Sequence, residues 1–282
     1  MNSFENLKQE LDWQKEEIER QRKELMDSIM YASYIQSALL PEASTFKKLL
    51  PESFVLYLPR DVVSGDFYWI SKFRNHVILA VADCTGHGVP GAFMSVLGIS
   101  FLNEIVARRC HPDPGCILNQ LREMVMKSLN QTGDIAEQKD GMDVALCVID
   151  KSTNTLHFSG ANNNLYLVRN KKLMVYRGDR MPIGISATTE VSFSSHEISL
   201  EENDAIYIFT DGFPDQFGGN NNKKFKYQRT RKLLSELNGI TMSEQKEKIY
   251  RIFESWKGNS PQVDDILFIG FKVIDNDLNV SL

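Results

Sequence analysis

The feature that most constrains this chain is a series of ten short apolar runs after Phe54, each bounded by turn-like residues. They read FVLYL, DFYWI, HVILAVA, MDVALCVI, TLHFSGA, LYLV, LMVY, VSFSSHEI, AIYIFT and DILFIGFKV. Runs of this length, rich in β-branched and aromatic residues, predict strands. Gaps such as STNT and RNKK are too short for a crossover connection, so neighbouring strands there run antiparallel. Helical patterns come in two pairs, Gly91–Arg109 with Cys116–Asn130 and Gln228–Leu237 with Ser243–Trp256. Strands on both sides of a helical pair predict an α+β layered fold with largely antiparallel sheets, not alternating βαβ units. The phosphate-cradling pattern GxxxxGK[ST] is absent.

The texture before residue 41 is different. Asn6 to Leu40 hold no Gly or Pro and are rich in Glu, Lys, Gln and Arg, which predicts one long helix ending at Pro41. Read in sevens, Leu11, Ile18, Leu25, Ala32 and Leu39 form an apolar line, and Leu7, Gln14, Gln21, Ser28 and Ile35 a mixed one. That is a coiled-coil seam with one good and one weak position. The expectation is a homodimer through residues 7–39; the competing one is a single amphipathic helix lying on the domain. The chain therefore divides into a helical linker or dimerisation segment, 1–40, and a domain, 41–282. Because the chain starts within a heptad-like helix, a sensor domain upstream is a further expectation.

Composition narrows the function classes. The net charge of −5 argues against a dedicated nucleic-acid surface. The basic run KKFKYQRTRK, Lys223–Lys232, reads as a solvated helix start that could meet an acidic partner. The polar, acidic start MNSFENLKQELDW is no signal peptide, and no run is read as reaching the length of a membrane span. Four cysteines without a CxxC pair read as reduced thiols, which fits the cytoplasm.

Four separate segments place an acid at the rim of an apolar strand, usually beside glycine. Asp66 follows Ser-Gly in VVSGDFYW, Asp83 ends VILAVAD, Asp211 ends AIYIFTD, and Asp264 and Asp265 open DDILFIGF. One such acid caps a turn in many proteins. If the strands adjoin, four would repel one another strongly, and a hard divalent cation such as Mg²⁺ or Mn²⁺ resolves that repulsion. Two such ions would activate a bridging water toward phosphorus. The residues alone leave independent turn caps open as the other reading.

The motifs SGDFYW, DCTGHGVPGAFM, GMDVAL, FSGANN, FTDGFPDQFGG and QVDDILFIG resemble, in order, those of the PPM-class metal-dependent serine/threonine phosphatases, in the bacterial branch typified by SpoIIE and RsbU. The resemblance covers about residues 52–274. It implies an antiparallel β-sandwich flanked by helical pairs, with two Mn²⁺ or Mg²⁺ ions at one end. It implies metal-binding roles for Asp66, Asp83, Asp211 and Asp264 and for the backbone carbonyl of Cys84. Asp143 and Asp265 are further candidates, Asp143 for a third, looser metal. It also implies a phosphorylated protein substrate, such as an anti-sigma-factor antagonist, and control through an N-terminal helix.

Two departures matter. Eukaryotic members carry Asp-Gly-His-Gly with a histidine thought to be a general acid, whereas here the spacing is Asp83-Cys84-Thr85-Gly86-His87-Gly88. His87 is thus a candidate acid catalyst or an orienter of its loop. The arginine that eukaryotic members place before the first acid has no counterpart at that spacing, and Arg60 is not assigned to it. Other classes stay open: a pseudophosphatase or binding module, and a two-metal phosphohydrolase acting on a small molecule.

Overall fold

The computed structural model describes residues 2–108, 112–132, 139–186 and 189–273. Helix α1 (Asn2–Leu39) is followed by a short α2 (Ala43–Leu49) and strands β1 (Ser53–Leu58), β2 (Phe67–Phe73) and β3 (His76–Cys84). Helices α3 (Gly88–Ala107) and α4 (Pro114–Ser128) come next. Five strands then follow: β4 (Met142–Asp150), β5 (Thr155–Ala161), β6 (Leu165–Arg169), β7 (Lys172–Tyr176) and β8 (His196–Ser199). The remainder is β9 (Ala205–Phe209), α5 (Gly212–Asp215), the hairpin β10 (Phe217–Gly218) and β11 (Lys223–Lys224), α6 (Tyr227–Glu236), α7 (Met242–Lys257) and β12 (Ile266–Lys272).

Two five-stranded sheets, in the orders β1-β12-β9-β6-β7 and β2-β3-β4-β5-β8, are antiparallel throughout and pack face to face. Val77, Leu79 and Val81 of β3 meet Leu267, Ile269 and Phe271 of β12 in the layer between the sheets. The other face of β3, Ile78, Ala80 and Ala82, is covered by α3 and α4. Ile266 and Phe268 of β12 are likewise covered by α6 and α7. Being buried on both faces explains why these strands read as continuous apolar runs rather than alternating ones. Each fully buried side chain of this kind contributes about 1.5–3 kcal/mol. The result is the expected sandwich with a helical pair on each outer face.

Two features depart from the sequence reading. Only the last three residues of VSFSSHEI, with Ser199 after them, form a strand; Phe193 instead leaves the sheet, its N–H donating to Asn119 and its ring lying under Arg122, whose guanidinium also bonds the Val191 carbonyl. Helix α3, contrary to the expectation from composition, is long and apolar enough to cross a membrane, yet half of its most apolar window is buried within this domain. It is apolar because sheet and α4 enclose it. The string Gly86-His87-Gly88-Val89-Pro90-Gly91 has dinucleotide-loop spacing between β3 and α3, but β3 has only antiparallel neighbours, so no βαβ unit exists there.

Helix α1 extends away from the sandwich. Of its residues from Phe4 onward only Gln36 is buried, while Leu7, Leu11, Ile18 and Leu25 are each more than half exposed.

Candidate active site

Strand register brings the acids together. Phe67 pairs with Ala82, so Asp66, one residue earlier, lies opposite Asp83; Asp83 in turn pairs directly with Asp143 on β4. In the other sheet Phe209 pairs with Phe268, and Thr210 donates its N–H to Leu267, which leaves Asp211 beside the start of β12, just after Asp264. Both sheets thus end in acids at the same edge of the sandwich. A cleft of about 360 Å³ opens there, with Asp83, Asp143, Asp211 and Asp264 in its wall. Asp66 lies beneath it, 2 % exposed.

Tight backbone approach makes this possible. The loops holding Gly65, Gly86 and Gly91 touch, and a Cβ on Gly91 would stand 2.8 Å from the Gly65 Cα and collide with the Gly86 carbonyl. Any side chain there would push the Asp66 and Asp83 loops apart. Thr85 N–H donates to the Gly141 carbonyl at 2.9 Å and Gly141 N–H to Thr85 Oγ1 at 3.1 Å, tying the Asp83 loop to the start of β4.

The electrostatics are those of crowded anions. Burial pushes the Asp66 carboxyl well up, helped by Asp265, Asp264 and Asp211, against a 2.6 Å hydrogen bond from Thr210 Oγ1 that favours the ionised form. Burial also raises Asp83, and the charges of Asp66, Asp211, Asp264 and Asp143 raise it further. Asp211 reaches solvent at the mouth but is raised by the surrounding protein and by Asp264 and Asp215. A side-chain contact with Asp83 acts the other way on Asp211, favouring its ionised form. Asp143 is raised by burial and opposed by the amide of Asn162, which donates to it at 2.9 Å.

This donor set fits hard divalent cations: several carboxylates converge on one cleft, and among the described residues that line it Lys139 is the one Lys or Arg. Among the described residues no three His, Cys, Asp or Glu side chains already stand as a formed cage. Asp265 stands apart from the other acids, since its two oxygens accept the backbone N–H groups of Arg60 at 2.7 Å and Gly65 at 2.8 Å. It fixes the loop that carries Asp66. Cys84 lines the cleft, and its carbonyl oxygen faces Gly65 at 3.3 Å from a Cβ built there. Its thiol is buried and pushed well up by burial and by Asp83, so it is held as the unreactive thiol.

His87 stands at the N-terminal end of α3 and lines the cleft, with Nδ1 2.8 Å from Asp61 Oδ2. That contact orients the ring and leaves Nε2 for other work. The Arg60 guanidinium bonds the Val263 carbonyl at 3.0 Å. Sequence reasoning missed Thr210, Asn162, Asp61 and Lys139; the first two sit inside the motifs FTDG and FSGANN, which do not say which acid each would meet.

A family model described as "Stage II sporulation protein E (SpoIIE)" matches residues 74–274. The chain belongs to this family. Its members are PPM-class serine phosphatases, and the sandwich agrees with solved relatives. The SiaA-PP2C domain of Pseudomonas aeruginosa is 31% identical with a TM-score of 0.81, over 89% of this chain and 98% of that one. The phosphatase domain of SpoIIE from Bacillus subtilis, solved with a fragment of its regulatory domain, shares the fold at a TM-score of 0.60 and 14% identity, covering 79% of this chain and 63% of that one. Phosphoserine phosphatase RsbU of Bacillus subtilis (strain 168) is 22% identical over 191 residues, 68% of this chain and 54% of RsbU. The chain thus spans about half the length of that relative.

Proposed function

We propose that this SpoIIE-family chain hydrolyses phosphoserine or phosphothreonine on a regulatory protein, with two divalent cations, Mn²⁺ or Mg²⁺, held by Asp66, Asp83, Asp211, Asp264 and the Cys84 carbonyl. The observation that carries this reading is the convergence of strand-end acids from both sheets on one cleft. Bound there, the cations would lower the pKa of water and offset phosphoryl charge. Thr210 favours the ionised form of Asp66 and aims it, and Asp265 holds the Asp66 loop. Asp143, steadied by Asn162, is placed to serve a third cation. His87, turned by Asp61, gives its Nε2 proton to the departing seryl oxygen. Lys139 faces the phosphoryl oxygens. The partner class is a phosphorylated anti-sigma-factor antagonist or a similar small regulator, in the cytoplasm; the likeness to RsbU supports this.

Control falls to α1. Gln36 Nε2 donates to the Ser64 carbonyl at 2.6 Å and to Ser95 Oγ at 2.8 Å, and Ser64 N–H donates to Gln36 Oε1 at 3.0 Å. One amide therefore joins the N-terminal helix, the loop before Asp66 and α3. The exposed seam Leu11, Ile18 and Leu25 supports pairing of two α1 helices, which would set the position of Gln36.

The test is phosphate release from a phosphoserine peptide with Mn²⁺, Mg²⁺ or EDTA, alongside Asp83→Asn. We expect metal-dependent release that drops by at least about a hundredfold in the variant. Mn²⁺ should also raise the thermal midpoint of the wild-type chain and not that of Asp83→Asn. Full activity of the variant, or of the wild type in EDTA, would refute the mechanism. The thiol route is disfavoured by the raised, buried Cys84.

A further inference from the structure

The basic run Lys223–Lys232 plays no part in the centre described above. It carries Lys223, Lys224, Lys226, Arg229, Arg231 and Lys232 and no carboxylate, within a chain of net charge −5. All of these cations are exposed. Lys224 pairs with Asp215 at 2.7 Å, Arg229 lies 4.2 Å over Trp256, and Lys232 reaches Glu236 at 3.9 Å. Among the described residues Lys226 and Arg231 have no such partner.

The run lies beside the acid cleft in space as well as in sequence. Lys226 N–H donates to the Pro214 carbonyl at 2.6 Å, three residues after Asp211. The Phe225 ring packs edge-on to Phe213 at 5.2 Å, and the Tyr227 ring lies 6.2 Å from Phe209 at the end of β9. Tyr227 is near enough to Asp211 and Asp83 that, after burial, their charges add to the upward push on its hydroxyl. Tyr227 and Arg231 are four residues apart on α6 and so share a face.

Lys226 is also held in an unusual backbone conformation, φ 75° and ψ 145°. A residue with a Cβ pays about 1–3 kcal/mol to sit there, which glycine would avoid. The lysine side chain is exposed and repays none of that through packing within the described residues. A cation is thus kept, at a cost to stability, on the rim of an anionic cleft.

We propose that Lys226 and Arg231, with Tyr227 between them, form a docking surface for the phosphoserine-bearing segment of a protein substrate that carries Asp and Glu around its phosphoserine. This rests on the hydrolase reading above. Charge decides the occupant: Lys226 and Arg231, near the cleft walled by Asp83, Asp143, Asp211 and Asp264, attract a phosphoserine dianion toward the divalent cations that the hydrolase reading places there. Acidic neighbours extend the same attraction along the segment.

The experiment is fluorescence anisotropy on the full chain with Mn²⁺, using labelled peptides that carry a non-hydrolysable phosphonate in place of phosphoserine. One peptide has Asp and Glu flanks and the other Gly and Ser flanks. The wild type should bind the acidic peptide more tightly, with the preference shrinking as salt rises. Lys226→Gly and Arg231→Ala should each weaken the acidic peptide by about fivefold and reduce the preference. Lys226→Gly should keep or raise the thermal midpoint, which separates lost binding from lost folding. Equal affinity of the wild type for both peptides, unchanged preference in both variants, or tighter binding of a single-stranded oligonucleotide of equal charge would overturn the proposal. Phosphate release from an ordinary phosphoserine peptide is read separately: its absence in the wild type sinks the hydrolase reading, while the binding data still decide the docking surface.

Discussion

Asp66 shows how much one residue depends on its neighbours. It is buried, faces other acids, and has a single hydroxyl donor, Thr210, which also accepts the Leu267 N–H at 3.0 Å. Thr210→Val keeps the shape and removes both bonds. We expect it to cost about 1–3 kcal/mol in urea unfolding and to weaken Mn²⁺ binding by calorimetry. An unchanged unfolding midpoint would show that Thr210 does not hold Asp66. The acids themselves were legible because a carboxylate is out of place at the rim of an apolar run. Thr210 was not, since a threonine in a strand reads as ordinary β-former, and its function exists only once Asp66 arrives from 144 residues away in sequence. His87 was legible as a candidate, but Asp61, which turns it, comes from a loop with no pattern of its own.

At the scale of elements, strands buried on both faces were the most readable, because their composition reflects burial directly. Helix α2 and the β10–β11 hairpin were not foreseen; α2 buries only Phe46, and the hairpin strands have two residues each. VSFSSHEI alternated like a strand, but Phe193 found a better site against α4. Helix α7 opens with a capping box in which Thr241 accepts the Glu244 N–H at 3.2 Å and the Glu244 carboxylate accepts the Thr241 N–H at 2.8 Å. Thr241→Ala should destabilise the domain by about 1 kcal/mol in chemical unfolding. Because α7 covers β12 on the side away from the other sheet, kcat should change little; a large loss would mean that α7 also shapes the cleft. At the other helix, Gln36→Leu removes three hydrogen bonds at once. We expect it to shift Mn²⁺ affinity and kcat together, since the Ser64 loop leads into Asp66. Unaltered metal affinity would detach α1 from the centre.

For the whole molecule, the decisive measurement is mass in solution. The full chain should be dimeric at micromolar concentration by light scattering, and a chain starting at Pro41 monomeric, with weaker metal binding. A monomeric full chain, or identical metal affinity in both, would end the dimerisation reading. The exposed apolar line Leu11, Ile18 and Leu25 was visible from heptads, whereas the Gln36 amide that bonds the sandwich was not, because glutamine on a helix reads as surface. That grip has a mechanical consequence. A straight helix of 38 residues is roughly 57 Å long, and among the described residues its side-chain hydrogen bonds to the sandwich are made near one end, by Gln36. It is a lever with its fulcrum at Gln36. Turning it by one residue about its own axis, about 100°, would swing the amide out of reach of Ser64 and Ser95, whereas bending its far end would leave the amide in place. Torsion, not tilt, is the motion that such a joint transmits.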